Sequence, residues 1–150
     1  LMLAGQEPLK LTVAPKRFGY TGDALAQYLR ACGIECEFSD PDYAVFMFTP
    51  ELDGAEIDRF AAAVLSLCRR APIQEPPPVL RVPERVMSVR RAMFAPSRVL
   101  PAEQCLGRVL ASENVSCPPA VPVAVAGERI DETAIRAFRY YGIAECRVLV

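Results

Sequence analysis

The sequence predicts an α+β protein made of two small α/β-layered subdomains joined by a proline-rich connector. Three observations carry this. Short stretches of alternating polarity interleave with segments whose apolar residues recur at helical spacing. Residues 72–83, PIQEPPPVLRVP, hold five prolines and extend without a packed core of their own. Enough chain lies on either side for one small core, which puts subdomains at 1–71 and 84–150 around a linker at 72–83.

In the first subdomain, Leu9, Leu11 and Val13 alternate with Lys10 and Thr12 as a half-exposed strand does. Thr21 can cap a helix whose stripe is Leu25, Tyr28, Leu29 and Cys32, with Gly33 ending it. Ile34–Phe38 is expected as a strand with Cys36 and Phe38 on one face and Glu35 and Glu37 on the other. SDPD (39–42) is a turn, and Tyr43–Phe48 a more buried strand. Asp53 and Glu56 form a capping-box start for a longer helix with the stripe Ile57, Phe60, Ala61, Val64, Leu65 and Cys68.

Beyond the connector, Val86–Met93 is expected as a short helix with Arg85, Arg90 and Arg91 outward. Pro101 can begin a further turn or two over Ala102–Leu106. Short strands follow, one of them the run Val121, Val123, Val125, which alternates with Pro122 and Ala124. Asp131 caps a last helix bearing Ala134, Ile135, Phe138 and Tyr141, Gly142 closes it, and Cys146–Val150 is the final strand. ACGIECEF and YYGIAECRV repeat one grammar of helix, glycine stop, buried isoleucine and strand.

Composition narrows the function classes. At 52% hydrophobic and 23% charged the chain is globular, and a net charge of −1 argues against non-specific nucleic-acid binding. No apolar run approaches the roughly 18–20 residues of a membrane span. LMLAGQEPLKL lacks the basic start and long apolar centre of a signal peptide, so a cytoplasmic location is expected. Of the 17 basic residues only Lys10 and Lys16 are lysines, both expected to be solvated. The six cysteines form no CxxC pair, and Cys32 and Cys68 fall on apolar stripes, so reduced, buried thiols are expected. The chain has no histidine, which removes the commonest metal ligand and general base. With no glycine-rich phosphate loop and no GxSxG, neither a metal site nor a self-contained enzyme is expected.

The segment LKLTV…GYTGDALAQYLRACGIECEF…YAVFMFTP, followed by a helix, resembles the small domain of fold-type-I pyridoxal-phosphate enzymes. The stretch LPAEQCLGRVLASENVSCPPAVPVAVAGERI is similar to the C-terminal domain of the bacterial ornithine/lysine/arginine decarboxylases. Gly107-Arg108, Pro118-Pro119, Pro122 and Gly127-Glu128 match that family's pattern. Cys117, Ala120 and Ala126 depart from it, standing where the family has an aromatic, a glycine and a proline.

The resemblance implies the C-terminal portion of a decarboxylase of arginine, lysine or ornithine, inactive without an upstream large domain. The family holds its Schiff-base lysine in a Ser-x-His-Lys motif on that domain, so this chain is expected to supply no catalytic residue and to bind no pyridoxal phosphate itself. The whole enzyme would be a homodimer or higher, with active sites shared between subunits and no nucleic-acid or membrane partner. In the family, a glutamate shortly after a helix-ending Gly-Ile approaches the substrate's distal cation across the subunit interface. The matching position in GIECEF is Glu37. Cys117 and Glu128 lie in the domain that closes over the catalytic core and are candidates for covering the active site. The alternative reading is a free-standing small-molecule-binding or regulatory module.

Overall fold

Strand-forming segments fall into two groups along the chain, and each group builds its own sheet. The structure, a computed structural model, describes residues 2–4, 7–113 and 121–150. They divide into two units, Leu1–Glu75 and Pro76–Val150.

The first unit holds strands β1 (Met2–Ala4), β2 (Lys10–Val13), β3 (Phe38–Ser39) and β4 (Ala44–Met47). They form one antiparallel sheet in the order β1-β2-β4-β3. Helices α1 (Gly22–Ala31) and α2 (Gly54–Leu65) cover one face of it. Thr21 Oγ1 accepts the Ala24 N–H at 3.1 Å, and Asp53 and Glu56 close a complete capping box. Val13, Ala44 and Phe46 from the sheet meet Leu25 and Leu29 from α1 in the core. Phe60 of α2 packs edge-on against Phe46 and Phe48, with ring centroids 5.1 and 5.4 Å away.

That aromatic contact rotates α2 away from the expected stripe. Phe60, Ala63, Val64 and Leu67 face the core, whereas Ile57 is 51% and Leu65 84% exposed. The strand expected over Ile34–Phe38 shrinks to Phe38–Ser39. Its first residue is consumed in closing α1: the Gly33 N–H donates to Arg30 and the Ile34 N–H to Leu29, a Schellman closure. The same pair of bonds, from Gly142 to Arg139 and from Ile143 to Phe138, ends the last helix of the second unit.

Lys16 is not solvated. Asp40 Oδ1 accepts the N–H groups of Asp42 and Tyr43 at 2.7 and 2.6 Å, and this turn carries Asp42 inward. A buried carboxylate requires a partner. Lys16 Nζ supplies it at 2.7 Å, with the two side chains only 16% and 9% exposed. The same ammonium donates to the Glu75 carbonyl at 2.7 Å, and Lys16 O accepts from Ile73 N–H. The segment after α2 is therefore drawn back onto the 3₁₀ turn Pro15–Phe18, where Arg70 also lies 4.3 Å over the Tyr20 ring.

The second unit holds α3 (Val89–Met93), β5 (Ser97–Pro101), β6 (Leu110–Ser112), α4 (Glu132–Tyr140) and β7 (Glu145–Leu149). Its sheet is antiparallel in the order β5-β7-β6. Phe138 and Ala134 of α4 pack on Leu110, Cys146 and Val148, with Cys105 and Ile130 completing the core. Ser88 caps α3 and Asp131 caps α4. Bonds from the Thr133 hydroxyl and the Ala134 N–H hold the Asp131 carboxyl below the usual carboxylate range. The helix expected over Ala102–Leu106 is a single 3₁₀ turn, Ala102–Gln104. Strand β5, which carries no clear alternation, is revealed only by its register with β7.

The valine run is not a strand, and its burial is the reverse of the expected parity. Ala124 and Ala126 are buried at 5% and 0% exposure, while Val121 is 69% exposed. The thiols also depart from expectation. Among the described cysteines Cys105 and Cys146 are buried, Cys36 is half-buried, and Cys32 and Cys68 are exposed; all are free. Burial pushes both core thiols up, Cys146 to about 11.

Two outcomes follow from this packing. Asp42→Ala leaves an ammonium without its buried counter-charge and should cost about 3–5 kcal/mol in urea melts. A Lys16→Met/Asp42→Leu double variant should recover most of that loss; a single variant within roughly 0.5 kcal/mol of wild type would show the pair is not buried as described. Native alkylation near pH 8 should label Cys32 and Cys68 first, since only about one Cys146 thiol in a thousand is ionised there. Labelling of Cys146 at the rate of Cys32 would contradict the burial.

Candidate functional site

Candidate chemistry lies in one place in each unit. In the first unit it follows the Schellman turn of α1, where the chain runs Glu35-Cys36-Glu37 toward β3. The two glutamates differ sharply in their surroundings. Arg30 Nε lies 3.0 and 2.9 Å from the two carboxylate oxygens of Glu35, so that charge is already matched. The Glu37 backbone is pinned by its N–H to Val45 O at 2.8 Å. Its side chain is exposed, and its carboxylate has no hydrogen bond or ion pair among the described residues. The backbone at Glu37 is thus fixed while its carboxylate stands in solvent, unlike that of Glu35.

In the second unit, the dipeptides Gly107-Arg108 and Gly127-Glu128, about twenty residues apart in sequence, lie side by side. Gly107 N–H donates to Ile130 O, and Ile130 N–H to Arg108 O. Leu110 N–H donates to Glu128 O, and Gly127 N–H to Leu110 O. On the other side, Val86 and Met87 donate to Gly127 O, and Arg129 N–H to Glu84 O. Residues 128–130 are thus extended chain that leaves the turn at Gly127 and is gripped from both sides, with isolated bridges Arg85↔Glu128 and Val109↔Arg129. Arg129 adds an ion pair to Glu84 at 2.9 Å and a bond to Gly107 O at 2.9 Å.

Glu128 closes the turn that precedes it. Its carboxylate accepts the Val125 N–H at 2.8 Å, while Glu113 accepts the neighbouring Ala126 N–H at 2.7 Å. Two carboxylates therefore satisfy the two turn donors that a strand neighbour would otherwise take. Glu113 was not a candidate from sequence: it lies 13 residues from its partner, and no local pattern links them. Cys117, with Pro118 and Pro119, lies outside the described residues.

The two lysines are committed elsewhere. Lys16 pairs with Asp42, and Lys10 is exposed on β2 with Glu7 at 3.8 Å. Among the described residues no group of three or more histidine, cysteine or acidic side chains could hold a metal ion. No helix there is long and apolar enough to cross a membrane.

Comparison with known proteins adds to this geometry. No family model matches the chain. It is 30% identical to an arginine decarboxylase of Bacillus subtilis over 136 residues, which is 86% of the chain and 28% of that protein. It is 30% identical to an arginine decarboxylase of Halalkalibacterium halodurans over 142 residues, covering 89% of the chain and again 28% of the relative. The chain thus spans little more than a quarter of the curated relatives it matches, and the likeness is to their C-terminal portion. Among solved structures, the Escherichia coli constitutive lysine decarboxylase superposes with a TM-score of 0.65 at 17% identity, over 96% of this chain and 32% of that one. The Francisella novicida lysine decarboxylase gives 0.68 at 15% identity, over 99% and 32%. At those identities the structural matches show the α+β fold.

The grip on residues 127–130 can be tested at its tightest point. Gly127 has φ +89°, and a Cβ there would stand 2.4 Å from Met87 O; Gly107 has φ +76° with open space around it. Gly107→Ala should cost about 1–2 kcal/mol, the left-handed penalty alone. Gly127→Ala should cost clearly more in thermal or urea melts, because backbone must also move. Equal losses would show that the Met87 contact is loose.

Proposed function

We propose that this chain is the C-terminal portion of a pyridoxal-phosphate-dependent decarboxylase of a basic amino acid. The observation that carries the reading is the similarity to arginine decarboxylases over 86–89% of the chain, which takes in both units in order. The names of those relatives favour arginine over lysine or ornithine as the substrate. In this reading the large cofactor-binding domain precedes the chain and carries the Schiff-base lysine. Bound there, pyridoxal phosphate supplies the electron sink that decarboxylation needs. Lys10 and Lys16 have the surroundings of structural residues, and we read the chain by itself as catalytically inert and unable to hold the cofactor.

What the chain contributes is a carboxylate. A guanidinium or ammonium tail entering an active site loses water and needs a fixed counter-charge. Glu37 is our candidate, supplied across the subunit interface of a cytoplasmic homodimer or larger assembly. It is supported by its unspent charge and tethered backbone, set beside the already paired Glu35. Glu128 and Cys117 belong, in the same reading, to the segment that covers the active site; the brace from Glu128 to Val125 would keep that segment's turn in shape.

The test is kinetic, on the whole enzyme. Glu37→Gln should leave folding and cofactor content intact while kcat/KM falls roughly 10- to 150-fold, the worth of a charge-assisted contact of about 1.5–3 kcal/mol. Glu35→Gln is the control, since residues two apart on extended chain stand roughly 7 Å from each other and cannot share one contact. Equal effects at both positions, or none, would remove Glu37 from the substrate site.

A further inference from the structure

The core of the second unit holds two thiols in contact. Cys105 follows the 3₁₀ turn Ala102–Gln104, Cys146 is the second residue of β7, and they are 0% and 2% exposed. Strand β5 brings them together: Leu100 and Pro101 pair with Cys146 and Glu145, and the Ala102 N–H donates to Ala144 O at 2.9 Å. The chain then turns back, so that the Cys105 thiol donates to Pro101 O at 3.3 Å and makes a hydrogen bond with the Cys146 thiol. Burial raises both thiols, but unequally. At Cys105 the Cys146 S–H and the Arg108 charge oppose the rise, whereas at Cys146 the neighbouring Cys105 adds to it. Cys105 is therefore the sulfur that ionises first. Its cover is thin: Leu106 is 54% exposed, and a Cβ on Gly107 would meet nothing within 4 Å. A short, exposed turn of this kind opens locally without unfolding of the unit.

We propose that Cys105 and Cys146 are a latent disulfide pair, a redox-modification site in the core that a peroxide closes. When the turn opens, the Cys105 thiolate attacks one peroxide oxygen and the O–O bond breaks. This leaves a sulfenic acid on Cys105, and the departing hydroxide becomes water with the thiol's proton. The Cys146 sulfur then attacks the sulfenic sulfur: an S–S bond forms, the S–O bond breaks and a second water leaves. Two thiols and one hydrogen peroxide thus give one disulfide and two waters, with both electrons passing from sulfur to oxygen. A buried thiolate is costly, whereas the disulfide carries no charge and no unmet donor, so the product suits this core better than the intermediate does. The cross-link ties β7 to the turn ahead of β6 and closes the loop 105–146. The inference stands on the second unit's own core and does not depend on the decarboxylase reading.

The experiment treats the full chain with hydrogen peroxide, then denatures it, alkylates the remaining thiols and maps the peptides by mass. The Cys105 and Cys146 peptides should be found joined, lighter by two hydrogens and released by dithiothreitol; without peroxide both should be alkylated. In a Cys32→Ser/Cys68→Ser background, which removes the exposed thiols, oxidation should raise the urea midpoint by roughly 1–2 M. Cys146→Ala keeps the attacking sulfur and removes its partner, so dimedone should trap a sulfenic acid on Cys105 in that variant and not in the wild type. A joined peptide with a raised midpoint supports the proposal. Both thiols still free after overnight exposure, either one carried to sulfinic acid without a cross-link, Cys105 joined to a different cysteine, or a midpoint lowered by oxidation overturns it. So does a dimedone adduct that is absent from Cys105 in the Cys146→Ala chain.

Discussion

Every α-helix among the described residues is too short to stand alone. The longest of these α-helices spans 12 residues and the shortest five, whereas isolated helices below roughly 12–15 residues are marginal in water. Each leaves four backbone donors unpaired at its start, a large share of its backbone at these lengths. The chain meets this constraint the same way four times, with an oxygen-bearing side chain at the N-cap: Thr21, Asp53, Ser88 and Asp131. At the other end, α1 and α4 share the glycine-plus-isoleucine closure. With their ends satisfied, the helices need only a few core side chains each, which two small sheets can provide.

Within the first unit, a second constraint acts on charge. Turning Asp42 inward at the Asx turn would be costly alone, and the ion pair with Lys16 offsets that cost. The pair also does organisational work, because Lys16 is bonded through both its side chain and its carbonyl to residues 73–75. One lysine thus joins the turn before β4, the 3₁₀ segment before α1, and the end of the unit.

What could be read from sequence divides along the same lines. Caps, turns and glycine stops are local, so Thr21, Asp53, Asp131 and the SDPD turn were legible from neighbouring residues. What packing decides at a distance was not. Nothing near Ile57 or Leu65 says that Phe60 will choose the rings of Phe46 and Phe48 and roll α2 around its axis. The valine run shows the limit most clearly: Ala124 and Ala126 are the buried positions, and no strand forms there because Glu113 and Glu128 take backbone donors that a strand neighbour would have used. For the candidate site, sequence singled out Glu37 by resemblance, and geometry distinguishes it from Glu35 through the bond from Arg30 to the latter. Glu128 was singled out too, and its bond to Val125 gives it a local role that the motif alone did not suggest.

The near-absence of lysine has a chemical consequence of its own. Guanidinium groups stay protonated and do not attack carbonyl carbon, whereas a free lysine amine does. Of the chain's two lysines, Lys16 is held in its ion pair, which leaves Lys10 as the one well-exposed side-chain amine. A surface whose positive charge is almost entirely arginine does little to scavenge aldehydes. It can sit beside a reactive carbonyl compound, or in a cell that produces one, without accumulating stray imines. The same property makes it nearly silent toward amine-directed cross-linkers and dyes, so a map of its contacts by such reagents would come back almost blank even where contacts exist.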